Sequence, residues 1–599
     1  MRLTSPSTEE KKRPCLCLSC VVLRSGLNGV LQMIHRCNSF FNRFRPWISF
    51  FLLFLILGIV CSPAIYFNYL HHDEACFWLN LFSYKQNLAD EDWAIGRYAA
   101  AVLLNLQGLF VHRASDVTFL RFLAILLLSG NAYMLLRRVS RFSWSYLQAF
   151  LIVLAISILP GFADGVFCAS NVYVICSVFL ACWSFCRAED GRGFFIPSVA
   201  FLASIMFYPS GAMFYWTMVG MSMLFVQDRF APIFIKKLFR VTGIGLISLL
   251  SYAVLIFLMS FYYSHKIQDV NYSPYKLAPD WIGKLRWFLQ EPLLNALNLW
   301  CIFPKWLTAL IIAGFIILTV LIMSFRGLKQ IQIHNRRDVL LTYVWQSAFF
   351  IFIFFMTFLP NLAAGFNAAF YRCLIPLTSL IILVLIWASL QWIKLIPISI
   401  GRPILTGLLS MAVIYGGVTT FDNVLYYRVL PSHIEWNAFR VMAQSIPFKK
   451  TDSIYIICSN HIPQIERYDE FGVLTSHYRL DMFPLLVSAF SEEEFGSVQL
   501  PLTYISYPQD NRILSVTKFV YKKFSGEKWV LKNIANGDLT YLDSFPAQDN
   551  IGSYERRVPV NAEEFLRKNH PYILDLRQMF SLSNYYQLIH RDSLEKQTN

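Results

Sequence analysis

The residues best suited to chemistry gather in the polar stretch 71–97, directly after the first long apolar segment. Carboxylates beside a membrane span are costly unless they lie in open water or serve a function. A carboxylate within hydrogen-bond reach of a hydroxyl can act as its general base. We therefore predict that Asp73 is a general base and that Glu74 is an alternative base or a metal contact. The five carboxylates of the stretch are Asp73, Glu74, Asp90, Glu91 and Asp92.

Structural interpretations of the same stretch stay open. The first acidic pair could cap a short helix beginning at Ala75, because acids favour helix N-termini. The acidic run that ends at Asp92 fits a solvated turn, although Asp92 could also position a substrate. Arg97 either binds substrate or pairs with one of these acids. His72 could join the acidic pair in holding a divalent cation such as Mg²⁺ or Mn²⁺.

Cationic side chains in two later polar segments, 264–304 and 365–372, could stabilise the charge of a departing phosphate. Both segments are predicted to lie on the same membrane face as residues 71–97. The longer one is net basic although outer loops are usually poor in Lys and Arg; a solvated loop is the alternative. The predicted substrate-binding residues there are Lys276, Arg286, Arg372 and Trp287, of which Trp287 also fits the interfacial aromatic belt. Asp164 is a further candidate, in a predicted outer turn at 161–165.

The composition indicates a membrane protein. The chain has 599 residues, of which 56% are hydrophobic and 16% aromatic, and its mean hydropathy is +0.47. Apolar runs recur at the length that crosses a hydrocarbon core, roughly 20 residues. The net charge of +15 comes mainly from short loops between these runs. That pattern is a topology signal, so we expect no nucleic-acid partner.

The loop charges predict the topology. The basic tail 1–45 is placed in the cytoplasm by the positive-inside rule, and the multi-span region 46–420 follows with an outer loop at 70–113. Residues 98–112 are predicted to form an amphipathic helix lying along the outer surface. With that choice every short cationic loop falls inside. The eleven predicted spans are about 47–69, 116–136, 144–160, 166–186, two spans within 194–225 that are separated by a turn at 208–211, 241–263, 306–325, 339–359, 373–393 and 403–419.

Beyond residue 420 the composition changes. Residues 430–599 contain no run that could span a membrane, and they hold alternating strand-like segments at 453–458, 498–505 and 528–534. A helical segment at 562–568 lies between turn-rich stretches. The predicted fold class is therefore an α-helical polytopic membrane protein of about eleven spans with a C-terminal soluble α/β domain on the outer face.

The opening loop resembles that of the GT-C glycosyltransferases, in particular the serotype-converting O-antigen glucosyltransferases. The resemblance rests on Asp73-Glu74 after the first span and on the motif from Trp93 to Arg97, with helix 98–112 and domain 430–599 as architectural support. It implies a polyprenyl-phosphate sugar donor and site roles for Asp73, Glu74 and Arg97. Two features depart from that group: Glu74 stands where Asp is more typical, and the C-terminal domain is larger.

The function that we expect is transfer of a sugar, such as a hexose, with inversion. The donor would be a polyprenyl-phosphate sugar, and the acceptor a cell-envelope glycan such as lipopolysaccharide, a lipid or a protein. The reaction would take place on the outer face of a cytoplasmic membrane, such as a bacterial inner membrane. A transporter or flippase for a lipid-linked or anionic substrate is the alternative, although transporters tend to place charges at the midplane. A scaffold whose C-terminal domain binds a partner is a third hypothesis.

Overall fold

The computed structural model is predominantly helical in the part of the chain that it describes. The chain divides into two units, Met1–Leu55 and Ile56–Asn599, and the contacts below all lie within the second. In the strands the description covers the backbone. The described residues are 46–67, 69, 74, 96–107, 110–111, 114–142, 144–191, 193–226, 232–263, 278–300, 305–331, 336–365, 367, 369–430, 432–433, 437, 454–459, 502–507, 515–517, 519–520, 529–532, 539–542 and 572–575.

Apolar helices dominate because a helix satisfies its backbone hydrogen bonds internally, as a membrane interior requires. In chain order they are α1 (Pro46–Val60), α2 (Ser62–Tyr66), α3 (Tyr98–Gln107), α4 (Ala114–Val139), α5 (Tyr146–Ser157), α6 (Pro160–Phe167), α7 (Val172–Glu189), α8 (Phe195–Phe207), α9 (Pro209–Ala212), α10 (Phe214–Phe225), α11 (Pro232–Tyr263), α12 (Trp281–Gln290), α13 (Pro292–Leu297), α14 (Lys305–Ile331), α15 (Arg336–Met356), α16 (Leu359–Ala363), α17 (Tyr371–Ile393) and α18 (Ile398–Val424). A 3-10 turn, Ala169–Asn171, precedes α7, and a π-helical turn, Leu425–Val429, follows α18.

Within the described residues, six helices are long and apolar enough to cross a membrane, or seven if the bent pair α5–α6 is one span. Each of the six overlaps a span predicted from the sequence. The predicted helical architecture with several membrane-length helices is thus confirmed, whereas the number eleven stays a prediction. The six are Asp116–Val139, Ala169–Glu189, Ile233–Met259, Trp306–Met323, Tyr371–Ile393 and Ile400–Val424.

The predicted surface helix 98–112 corresponds to α3. At 10 residues it is about 15 Å long, half the hydrocarbon thickness of roughly 30 Å, so it is too short to cross. Its buried side chains include Tyr98, Ala101, Leu104 and Gln107, which recur every third residue and form one face. This helix packs against α8.

Two apolar segments are broken at proline. Leu159 and Tyr208 are extended immediately before Pro160 and Pro209, since a residue that precedes proline is disfavoured in the helical region. The axes of α5 and α6 differ by 61°. The predicted turn at 161–165 is wrong: these residues belong to the buried helix α6. Proline at the first helical position initiates that helix rather than ending the segment.

Seven strands follow the helices in the part of the chain that the structure describes. In the four-stranded sheet β1 pairs in parallel with β2 and β7, so that Ile454 lies opposite Leu502 and Tyr572, and β3 pairs antiparallel with β2. A three-stranded antiparallel sheet has the order β4-β5-β6. The strands are β1 (Ile454–Ser459), β2 (Leu502–Tyr507), β3 (Ser515–Thr517), β4 (Phe519–Val520), β5 (Trp529–Lys532), β6 (Leu539–Leu542) and β7 (Tyr572–Asp575).

The predicted strand segments overlap β1, β2 and β5. Parallel neighbours require long crossover connections, as in α/β folds. The predicted helical segment 562–568 lies outside the described residues, so the α/β domain and its limits, 430–599, stay a prediction.

Candidate functional site

Helix α6 approaches the start of α17 at backbone distance because Gly161 has no side chain. A Cβ atom at Gly161 would stand 2.4 Å from the Tyr371 carbonyl oxygen and 2.5 Å from Ile375 Cγ1. This close approach brings Asp164 of α6 next to Arg372 of α17, with 3.5 Å between Oδ2 and Nη1. Two residues far apart in the sequence thus form one ion pair.

Alanine at Gly161 should separate α6 from α17. The new methyl group meets a backbone carbonyl, which cannot rotate away, and a shift of either helix lengthens the Asp164–Arg372 pair. We expect Gly161→Ala to lower the free energy of unfolding by about 1–3 kcal/mol, the usual cost of overpacking a core. Gly243→Ala in α11 is the matched control, because a Cβ there meets nothing within 4 Å and a helical alanine is favoured. Equal thermal unfolding of the two variants in detergent would contradict this close approach.

Asp164 is buried in a chain of polar contacts. Asn171 Nδ2 donates to Asp164 Oδ2 at 3.0 Å, and the Tyr173 hydroxyl donates to Asn171 Oδ1 at 3.1 Å. The Asp164 side chain is 4% exposed and that of Arg372 is 22% exposed. Burial of a carboxylate is costly without such partners. The pair therefore has a buried acid and a guanidinium that reaches a more open space.

Arg97, the last residue of the polar stretch 71–97, lies close to Tyr208. The preceding Gly96 has a φ of +73°, and a Cβ atom there would stand 2.8 Å from the Tyr252 hydroxyl oxygen. Glycine is suited to this left-handed, crowded position. The Arg97 guanidinium lies 5.0 Å from the ring centre of Tyr208 and 5.9 Å from that of Tyr173, distances at which cations are attracted to aromatic faces.

Tyr208 connects the two arginines. It is extended before Pro209 at the break between α8 and α9, and its hydroxyl shares a 2.9 Å hydrogen bond with Cys373 Sγ. Cys373 directly follows Arg372, and Tyr208 also lies under the Arg97 guanidinium. We call Arg97, Asp164, Tyr208 and Arg372 the two-arginine site. These four residues bring two cations and one carboxylate, and arginine matches phosphate oxygens bidentately.

Glu74 has both oxygens engaged. Oε2 lies 2.6 Å from Arg121 Nη2, with both side chains fully buried, and Oε1 accepts a 2.6 Å hydrogen bond from the Ala169 amide. Arg121 also donates to the Tyr69 carbonyl at 3.1 Å. Ala169 begins the 3-10 turn that ends at Asn171, and Asn171 is the residue that donates to Asp164. Glu74 therefore stabilises the turn that positions Asn171. Both carboxylate oxygens are therefore occupied by protein donors, so this arrangement favours positioning over proton transfer or metal binding.

Helix α12 directs the ammonium group of Lys284 toward Asn367, a few residues before Arg372. Asp280 caps the helix by accepting from the Gly283 amide at 2.9 Å. The buried Lys284 donates to Asn367 Oδ1 at 2.8 Å, and its ammonium lies 4.2 Å from the Trp287 ring centre. Arg286, which was predicted to bind substrate, projects from the exposed side of this helix. The structure thus turns Lys284, rather than Arg286, toward Asn367.

Burial lowers the pKa of Lys284 to about 8 from its ordinary value of 10.5. Between these two values the unfolded chain keeps the proton that the folded chain has lost. The unfolded state then binds more protons, so the free energy of unfolding should rise as the pH increases from about 8 to 10.5. Lys284→Met, which keeps the apolar stem, should remove this part of the pH dependence. Thermal unfolding in detergent at pH 7.5 and 9.5 checks this, and an identical pH response in both proteins would contradict it.

Four predicted site residues, Asp73, His72, Asp92 and Lys276, lie outside the described residues. Among those described, no group of three or more His, Cys, Asp or Glu side chains could hold a metal ion. The remaining predicted ligand, Glu74, is committed to Arg121 and Ala169. The described contacts of Glu74 therefore do not fit a metal ligand, and we derive no step through a metal.

Sequence reasoning missed several contributors. Tyr208 falls in the predicted turn at 208–211, and the proline that follows it indicates the helix break. Its contacts with Arg97 and Cys373 were not predicted. Asn171 and Arg121 are polar residues in apolar runs, a signal for buried networks or function. Nothing in the sequence distinguishes Lys284 from its neighbours except the helical period of α12, which puts it on the same face as Phe288.

Comparison with known families and proteins adds no assignment, since no family model and no curated protein matches this chain.

Proposed function

We propose that this protein is an inverting membrane glycosyltransferase of the GT-C type. Its donor is a polyprenyl-phosphate sugar, and its acceptor is a cell-envelope glycan, lipid or protein on the outer face of the cytoplasmic membrane. The single observation that carries the proposal is the two-arginine site, where Arg97 lies over the Tyr208 ring and Cys373, next to Arg372, shares a hydrogen bond with the Tyr208 hydroxyl. The opening loop, from which the resemblance to this class comes, leads directly into Arg97.

The two guanidinium groups act on the leaving group. An acceptor oxygen attacks the anomeric carbon, the bond from that carbon to the phosphate oxygen breaks, and polyprenyl phosphate departs with the electron pair. Arg97 and Arg372 stabilise the negative charge that develops on this phosphate, a major contribution in enzymes of this kind. A carboxylate takes the acceptor proton, and Asp73 keeps that role in the proposal.

Glu74 has a supporting role in this mechanism. Through Arg121 and the Ala169 amide it holds the loop to the 3-10 turn, and this turn leads to Asn171 and its contact with Asp164. Asp164 in turn orients Arg372. The buried acids thus set the position of the phosphate-binding groups, whereas Asp73 contacts the acceptor.

The finer topology belongs to the same proposal. Eleven spans with a cytoplasmic N-terminus place loop 70–113 and domain 430–599 on the outer face, where lipid-linked sugars and envelope acceptors meet. The six membrane-length helices among the described residues support this arrangement. Lys276, Asp92 and Trp287 remain substrate-binding candidates.

The test is transfer of radiolabelled sugar from polyprenyl-phosphate donors in membranes that contain the parent or a charge-neutral variant. We expect transfer by the parent and its loss in Asp73→Asn at equal expression. A retained rate in Asp73→Asn would exclude Asp73 as the base, whereas Asp164→Asn should lose activity in either case because Asp164 orients Arg372. Absence of incorporation from every donor, with all variants normally inserted, would oppose the proposal.

A flippase or transporter for a lipid-linked anion is the second candidate. The breaks at Pro160 and Pro209 favour it, because transporter sites are often built from discontinuous helices. It predicts movement of the intact donor across the membrane without cleavage of its sugar–phosphate bond. The two functions therefore differ in the fate of one covalent bond.

A further inference from the structure

A cavity lies at the ends of α7 and α8 that are remote from Asn171 and Tyr208. Its volume is about 1300 Å³, and five cationic side chains line it together with two carboxylates. The cations are Arg138, Arg141, Lys236, Lys237 and Arg240, and the carboxylates are Glu189 and Asp190. The lining therefore carries an excess of positive charge.

Three of the cations are fixed to the rim. Arg138 pairs with Glu189 and Arg141 pairs with Asp190, the second pair at 2.7 Å. Arg240 Nη2 donates to the Gly193 carbonyl oxygen. These contacts hold the ends of α4 and α7 and the start of α8 in one arrangement around the cavity, which is thus a defined structure rather than a loose charged surface.

The remaining cations, Lys236 and Lys237, have no ion-pair partner among the described residues, and both are exposed. They lie in the second turn of α11. The two carboxylates of the rim are already paired with arginines. The uncompensated charge of the cavity therefore comes from this lysine pair and from Arg240, whose described partner is a neutral carbonyl. The lysine pair is available to an anion.

Helix geometry separates this cavity from the two-arginine site. Helix α7 runs from Val172, next to Asn171, to Glu189 on the cavity rim, a distance of about 26 Å at 1.5 Å per residue. Helix α8 runs in the opposite sense, from beside Phe194 on the rim to Tyr208. The two sites thus lie at opposite ends of the same helices and do not share a ligand.

Part of the cavity wall is apolar. Phe142 and Phe225 contact each other, with ring centres 5.9 Å apart. Ile233 is 71% exposed and Phe194 is 43% exposed. Exposed apolar groups next to cations, at the end of membrane-length helices, match the two halves of an amphiphile. A soluble anion would use the charges and leave these apolar side chains in water.

We propose that this cavity binds an anionic phospholipid. The phosphate of the headgroup contacts Lys236 and Lys237, and the acyl chains follow Ile233 and Phe194 along the bundle. Basic pockets between membrane helices commonly recognise acidic lipid headgroups in this way. By the predicted topology the lipid comes from the cytoplasmic leaflet.

The test is lipid binding to the full-length protein in a neutral detergent, followed by native mass spectrometry during titration with phosphatidylglycerol. We expect Lys236→Gln/Lys237→Gln to weaken this binding about 30-fold, because each of the two cations near an anionic lipid contributes on the order of 1 kcal/mol. Lys394→Gln/Arg402→Gln is the matched control, since it removes two exposed cations that do not line the cavity. Its affinity should equal that of the parent.

Two further ligands define the chemistry. Phosphatidylcholine should bind more weakly than phosphatidylglycerol, and sn-glycerol 3-phosphate should bind far more weakly because it lacks the acyl chains. Equal affinity of the lysine variant and the parent would overturn the proposal, as would an equal loss in both double variants. Binding of glycerol phosphate as tightly as the lipid would overturn the assignment to a lipid and indicate a free phosphate ligand.

Discussion

Substitution of Arg372 by alanine should lower the rate of sugar transfer by about 10²–10³-fold, the usual loss when one donor to developing charge is removed. The guanidinium is held by Asp164 at 3.5 Å, and the neighbouring Cys373 shares a hydrogen bond with the Tyr208 hydroxyl. In the proposed mechanism, loss of the guanidinium leaves the departing phosphate with Arg97 alone. Initial rates with a labelled polyprenyl-phosphate sugar, in membranes with equal amounts of inserted protein, measure the effect.

Two further variants make this prediction specific. Arg372→Lys keeps the charge but not the bidentate geometry, so its rate should lie between those of the parent and Arg372→Ala. Arg402→Gln removes an exposed arginine in α18 and should leave the rate unchanged. A parental rate in Arg372→Ala would contradict a role for the two-arginine site in transfer, and the size-exclusion profile in detergent separates loss of chemistry from loss of fold.

Replacement of Glu74 by glutamine should lower the free energy of unfolding by about 3–5 kcal/mol, the cost of leaving one charge of a buried ion pair uncompensated. Arg121 is fully buried and would keep its charge against the neutral amide. The Tyr69 hydroxyl, which donates to the Phe167 carbonyl at 2.7 Å, would remain as a second link to α6. Denaturant titration in mixed micelles measures the loss.

A double-mutant cycle tests whether the loss comes from the pair itself. Glu74→Gln/Arg121→Met should cost less than the sum of the two single substitutions by about 1–3 kcal/mol, since residues in one buried network couple by such amounts. Strict additivity would contradict the Glu74–Arg121 pair. The folded fraction of Glu74→Gln should still transfer sugar, because in this account Glu74 positions the turn and does not take the proton.

The large features of the fold were predictable because they follow from composition and local rules. Long apolar runs with cationic loops between them predict membrane-length helices, and all six that the structure describes fall on predicted spans. The break at Pro209 was also expected, because proline restricts the residue before it. At Pro160 the same rule predicted the end of the preceding helix. It did not predict that a new helix begins at this proline.

The assembly of the site was less predictable because it depends on contacts between distant segments. Arg97 and Arg372 were both identified as candidates from residue type and position, but no local pattern indicates that Tyr208 contacts Arg97 and Cys373, the residue after Arg372. The Asp164–Arg372 pair depends on the space at Gly161, and a glycine in an apolar run has several possible reasons. Glu74 was read as a reactive acid since its partner, Arg121, lies in another helix.

The most direct test of the proposed function follows a donor that carries one label in the sugar and another in the polyprenyl chain. Sealed, oriented membrane vesicles containing the parent protein or Arg372→Ala would be supplied with this donor and an acceptor fraction of the envelope. A transferase moves the sugar label to the acceptor and leaves the lipid label as polyprenyl phosphate, with the parent active and Arg372→Ala impaired. Movement of both labels together across the membrane, with the sugar–phosphate bond intact, would contradict a transferase and establish the flippase.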